Sequence, residues 1–112
     1  MSEQSDQPLI IPDLGARIAG VPEESIISRG FARAPGMQAT LFAFSAGEGL
    51  TEHTSSHAAI LHFISGTAAV TVGAEALEAQ PGTWIYMPPR LPHSIRAATP
   101  VQMVLLLLMN TA

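Results

Sequence analysis

Three of the four histidines in this chain, His53, His57 and His62, lie in the stretch GEGLTEHTSSHAAILHFISG (47–66), and the fourth, His93, follows the proline-rich MPPRLP. The chain has no cysteine, so metal chemistry here has only imidazole, carboxylate and water to draw on. Three imidazoles with open water positions would suit a divalent transition metal such as zinc, iron, manganese, nickel or copper. The alternative is that each ring is hydrogen-bonded to a neighbouring carbonyl. Four residues apart, His53 and His57 would share one face of a helix, but the intervening TSS and Gly47, Gly49 and Gly66 disfavour a helix. No glutamate follows His53 to act as the base of a zinc-protease helix. On a strand without a bulge or turn, positions 53, 55, 57 and 59 share a face and 62 takes the other. His53 and His57 can then converge, whereas His62 belongs on the outer face or at a contact between subunits. Fixed proline φ angles ahead of His93 suit it to be a rigid ligand.

The elements that must position these rings read as short strands. SIISRGF, MQATLFAF, TEHTS, AILHFIS, TAAVTV, EALEA, TWIYM, HSIRA and VQMVLLLLM follow one another, separated by APG, AGEG, Gly66, GAE, QPG, PPRLP and ATP. No window holds a sustained helical period, so the chain is expected to be all-β, a sandwich or small barrel in a single domain. A tail and arm over 1–24 should precede a barrel over 25–112.

Of the 112 residues, 47% are apolar and 12% charged, which suggests that a second copy covers some apolar surface and predicts a homodimer. The five basic residues are all arginines, and Glu48, Glu52, Glu75 and Glu78 balance Arg29, Arg33, Arg90 and Arg96, so no basic stripe is present to drive binding to nucleic acid or an anionic membrane. The longest apolar run, at 101–109, falls short of the roughly 20 residues that cross a bilayer as a helix. The start MSEQSDQP lacks the basic and apolar regions of a secretion signal, so a cytoplasmic location is expected.

The histidine-bearing segments resemble the two motifs of the cupins, small double-stranded β-helix barrels of the jelly-roll type. In the first, Gly47 and five residues lead to His53, and the closing glycine falls at Gly66. In the second, Gly82, TWIYM, Pro88 and His93 keep the family spacing. The resemblance implies a cupin-like barrel with metal ligands at positions 53, 55, 59 and 93. His53 and His93 match, whereas Ser55 and Ala59 replace two ligands, Arg90 stands for a glycine and Ala97 for an asparagine. His57 would restore a metal set of His53, His57 and His93 if the turn after Ser55 swings it inward.

Contacts to a small-molecule ligand are expected from Ser55, Ala59, Leu61, Phe63, Tyr86 and Arg90. Leu61 and Phe63 share the strand face of Ala59, and Arg90 on the rim could pair with a carboxylate or phosphate. In TWIYM, either Trp84 and Tyr86 or Thr83, Ile85 and Met87 face inward. Two functions remain open at this point. One is a metal-dependent enzyme such as an oxygenase, isomerase or decarboxylase; the other is a metal-free barrel that binds or senses a small ligand without chemistry.

Overall fold

The structure, a computed structural model, describes residues 7–109; residues 1–6 and 110–112, the outer ends of the expected arm and barrel, lie outside the described residues. Each of the nine strings read as strands overlaps a strand, the third only over 51–53 because its strand starts two residues earlier and stops at His53: β1 (Ile26–Ala34), β2 (Met37–Phe44), β3 (Gly49–His53), β4 (Ala58–Ser65), β5 (Ala68–Val72), β6 (Glu75–Ala79), β7 (Trp84–Met87), β8 (His93–Ala97) and β9 (Val101–Leu108). They form two antiparallel sheets, β1-β2-β9-β4-β7 and β3-β8-β5-β6, whose apolar inner faces close on each other as the expected jelly-roll barrel. No helix among the described residues is long and apolar enough to cross a membrane.

Strand partners point to the same face of a sheet, so the registers sort the interior into rows. On the five-stranded sheet the rows are Phe42, Met103 and Phe63; then Thr40, Leu105, Leu61 and Ile85; then Gln38, Leu107, Ala59 and Met87. On the four-stranded sheet they are Ala97, Ala68 and Ala79; then Leu50, Ile95, Val70 and Leu77; then His53, His93, Val72 and Glu75. The deep rows are apolar and close-packed, with Phe44, Phe63 and Leu61 shut away from solvent. Burying each such side chain contributes about 1.5–3 kcal/mol. Apart from Ser28, beside Phe42 on the edge strand β1, inward-facing polar side chains begin with Thr40 in the middle rows and gather towards the end where β3 passes to β4 and β7 to β8. That end is the mouth.

The five-stranded sheet is apolar on its outer face as well. Residues before β1 make a short 3-10 turn at Leu14–Arg17, and Ile18 behind it packs against Leu41 and Ala43, with Phe31, Ile64 and Val104 around them. The Gln102 amide nitrogen donates to the carbonyls of Gly15 and Ile18, at 3.0 and 3.3 Å, and holds this segment to β9. Burial on both faces explains why MQATLFAF loses its apolar/polar alternation after Thr40.

Gly66, the closing glycine of the first motif, sits at φ 82°, and a Cβ there would collide with the Pro100 carbonyl. The turn from β4 to β5 therefore requires glycine twice over, for its left-handed backbone and for its close approach to the loop before β9. Phe63→Ala is expected to cost about 3–5 kcal/mol by opening a core cavity. Gly66→Ala should also destabilise. Urea unfolding followed by circular dichroism measures both; an unchanged midpoint for Gly66→Ala would mean that the turn relaxes around a side chain.

Candidate functional site

His53 ends β3 and His93 begins β8, and the two are direct partners across the ladder. Leu50 pairs with Ile95 and His53 with His93, so Thr51 and Glu52 together stand opposite Ser94 alone. This is a β-bulge. In an unbulged strand Glu52 would follow Leu50 into the interior and His53 would point out; the extra residue reverses this and turns the imidazole inward. The ring centroids of His53 and His93 lie 4.2 Å apart with an interplanar angle of 63°.

Both rings are anchored in the same way. Nδ1 of His53 lies 2.7 Å from the Thr51 carbonyl, and Nδ1 of His93 lies 2.9 Å from the Leu91 carbonyl. A carbonyl only accepts, so in each ring Nδ1 carries the hydrogen, and in the neutral ring Nε2 keeps its lone pair. No buried side-chain nitrogen or oxygen among the described residues lacks a partner. The Nε2 atom of His93 has no partner among the described residues, so although the residue is 6% exposed that atom is not sealed from solvent. The pair thus offers two fixed nitrogens to whatever enters the mouth.

His57 stands apart from this pair. β3 stops at His53, the chain leaves the sheet over residues 54–57, and the strand parity that would have aligned His57 with His53 no longer applies. Among the described residues no three His, Asp or Glu side chains group so as to hold a metal ion. Ser55 has become a staple between loops: its hydroxyl accepts the His57 N–H at 3.1 Å, and its carbonyl accepts the Arg90 N–H at 2.7 Å. His62 is exposed on the outer face of β4.

The other expected contact residues divide by depth. Ala59 belongs to the inward row at the mouth, Leu61 to the row below it, and Phe63 is fully buried two rows down, where it is core. Tyr86 is a correction to the expected lining. It pairs with Ile60, one residue out of phase with the inward Ala59–Met87 pair, and so points outward with Trp84; the two are 51% and 59% exposed. Ile85 and Met87 are the inward residues of β7.

Arg90 lies in the loop from β7 to β8, exposed, at φ 67°. A non-glycine residue held in this left-handed region costs about 1–3 kcal/mol. The bond to Ser55 and the flanking prolines keep it there, and Gly73 N–H donates to the Pro92 carbonyl at 2.8 Å from the other side of the loop.

Four polar side chains of the mouth escaped the sequence reading. Gln38 and Thr40 face inward from β2 and are half-buried, and neither side chain has a partner among the described residues. Alternation with Phe42 and Phe44 carried the signal, but both faces of that strand are apolar enough to conceal it. Glu75 joins the His53–His93–Val72 row because residues 73–74 turn β5 directly onto β6. It sits two strand spacings, roughly 10 Å, from His93. Arg33 partners Gln38 through a second bulge, in β1. A concavity of about 600 Å³ lies elsewhere, between residues 20–24 of the arm, the end of β2 and the start of β9. Among the described residues its charged lining is Glu23 and Glu24 without an imidazole, so the convergent polar chemistry belongs to the mouth.

A model of the cupin domain matches residues 40–109. Among solved structures, a conserved protein of unknown function from Streptococcus pyogenes aligns with TM-score 0.81 at 24% identity, covering 95% of this chain and 92% of that one. A cupin superfamily protein from Desulfitobacterium hafniense aligns with TM-score 0.80 at 21% identity, covering 95% and 97%. KdgF from a Halomonas species aligns with TM-score 0.74 at 23% identity, covering 79% and 83%. At these identities the likeness is one of fold. No curated protein matches the chain.

A cross-ring nuclear Overhauser contact between His53 and His93 is the expected signature of the pair. Exchanging the bulge residues in the double variant Glu52→His, His53→Glu should abolish it, because the bulge fixes position 53 as the inward one. Persistence of the contact would show that β3 slips freely against β8.

Proposed function

The chain belongs to the cupin family, and from that premise we propose that it is a metal-free barrel that binds a small organic molecule at its mouth, with the His53–His93 pair as polar anchor. The observation that carries this reading is the pair itself: two inward imidazoles, both fixed through Nδ1, with no third ligating side chain grouped with them among the described residues. Retention of a divalent ion depends on the number and geometry of good donors. Two imidazoles beside Ser55 and Ala59, at positions where the family carries ligands, do not fit a resident metal. What remains is an apolar barrel end, with Leu107, Ala59, Met87 and Val72 in its inward rows and polar groups at Gln38, Thr40, His53 and His93. Few polar groups among apolar walls is the usual composition of a small-molecule site.

One observation favours a second reading, a metal-dependent enzyme of the oxygenase, isomerase or decarboxylase kind. Imidazoles that ligate metals commonly donate their other N–H to a carbonyl, as both rings do here. Equilibrium dialysis against zinc, nickel, manganese and iron(II), with elemental analysis, separates the two. Substoichiometric metal is expected; one ion per chain, lost in both His53→Ala and His93→Ala, would replace the metal-free reading with the enzyme. The binding arm is a fragment screen by protein NMR, in which bound molecules should shift the His53 and His93 ring signals, and hits that move neither ring would refute the mouth as the site.

The homodimer is assigned to the outer face of β7, β4 and β9, where Trp84, Tyr86, Ile60, His62 and Leu106 stand in register. Support comes from the exposure of both aromatic rings on a face without a carboxylate. Trp84→Glu, Tyr86→Glu is expected to convert a dimer to a monomer in analytical ultracentrifugation while leaving the circular dichroism spectrum unchanged.

A further inference from the structure

We propose that the ligand of this mouth is an organic anion, a carboxylate or a phosphate ester on an apolar body, and that Arg33 and Arg90 are the residues that select its charge. The inference rests on the ligand site proposed above and adds its chemical class.

Two departures from regular backbone, independent of each other, set these guanidinium groups at the mouth. In β1, Gly30 partners Thr40 and Arg33 partners Gln38, while Phe31 and Ala32 together stand opposite Ala39. Without that bulge Ala32 would face inward and Arg33 outward. Phe31 packs in the outer cluster around Ile18, and the extra residue after it keeps Ala32 on that outer side and brings Arg33 into the inward row of Gln38, Leu107 and Ala59. It does for Arg33 what the bulge in β3 does for His53. Bulges recur beside functional sites because they re-aim a side chain in this way. Arg90 reaches the same end through its left-handed φ of 67°, a conformation that glycine would adopt without strain. An outlier kept at a cost beside a candidate site is the sort of observation from which function is inferred.

The charges around the mouth point the same way. The side chains of Arg33 and Arg90 are exposed and have no partner among the described residues. Arg96, by contrast, is spent on the Gly47 carbonyl at 2.7 Å. Facing the same end are His53, His57 and His93 and one carboxylate, Glu75, on the far strand of the four-stranded sheet. Glu52 is turned outward by its bulge, and the sequence has no acid from 53 to 74 or after Glu78. Two guanidinium groups without a partner among the described residues, against one carboxylate, favour a negatively charged guest, and a guanidinium fork suits carboxylate and phosphate oxygens. Val72, Leu107 and Met87 would meet its apolar part.

The test uses benzoate, phenyl phosphate and benzamide, three probes of similar size that differ in charge, titrated into the full chain while the His53 and His93 ring signals are followed. Benzoate or phenyl phosphate is expected to bind at least about ten-fold more tightly than benzamide, as loss of a charge-assisted contact implies. Whichever of the two binds better identifies the anionic group. Arg33→Gln and Arg90→Gly should each remove most of that preference and leave benzamide unchanged. Arg90→Gly should also unfold at a higher temperature than the parent, which shows that its loss of binding is not a loss of fold. Equal binding of charged and neutral probes, or a charge preference that survives in both variants, overturns the anion assignment and leaves the ligand site standing. Probes that move neither ring overturn both.

Discussion

The pairing of β3 with β8 at His53 and His93 is the constraint on which the mouth depends. These strands carry the rings on adjacent backbones, so the separation of 4.2 Å between centroids follows from ladder geometry and the bulge rather than from flexible side chains. Each ring is then locked by a bond from its own Nδ1 to the carbonyl two residues earlier. A polar pair built this way loses little entropy when a ligand arrives, because little freedom remains to be lost.

The interior grades from sealed to open along the barrel axis. Alanines, phenylalanines and Met103 fill the deep rows, mostly aliphatic side chains with Thr40 fill the middle, and Gln38, His53, His93 and Glu75 stand in the last inward-facing rows. Unpaired polar groups are costly when buried and cheap when solvent reaches them. Their placement at the mouth is therefore consistent with the absence of any buried unpartnered side-chain polar atom among the described residues. The loops that rim this end are joined to one another: Ser55 holds Arg90, and Pro92 holds Gly73. A local change at Ser55 would thus be felt in the loop that delivers His93.

Low charge and high apolar content have a partial explanation within the chain. The segment around Ile18 covers Leu41 and Ala43, so β2 is buried on both faces. Beyond Ile64 and Val104, the outer faces of β4, β7 and β9 have no such cover among the described residues, and Trp84 and Tyr86 remain open to solvent.

Strand number, order along the chain and the all-β class were legible because strands here are short, rich in β-branched and aromatic residues, and divided by glycine and proline. The spacing of Gly47, His53, Gly66, Gly82 and His93 carried the family, and Gly66 shows why a glycine is kept there: its backbone conformation and its neighbour leave no room for a Cβ. Sequence by itself could not say which side chains face inward wherever a strand is apolar on both faces or broken by a bulge. Gln38 and Thr40 were hidden by the first condition, and Arg33 by the second. His57 was expected beside His53 from parity, but parity ends where β3 ends. Tyr86 and Met87 were distinguished only by the partner each meets on β4. Strand alternation is a local rule with period two, so one extra residue inverts it. Where such a residue is inserted is decided by the pairing of strands far apart in the chain, and that is the information only the tertiary structure holds.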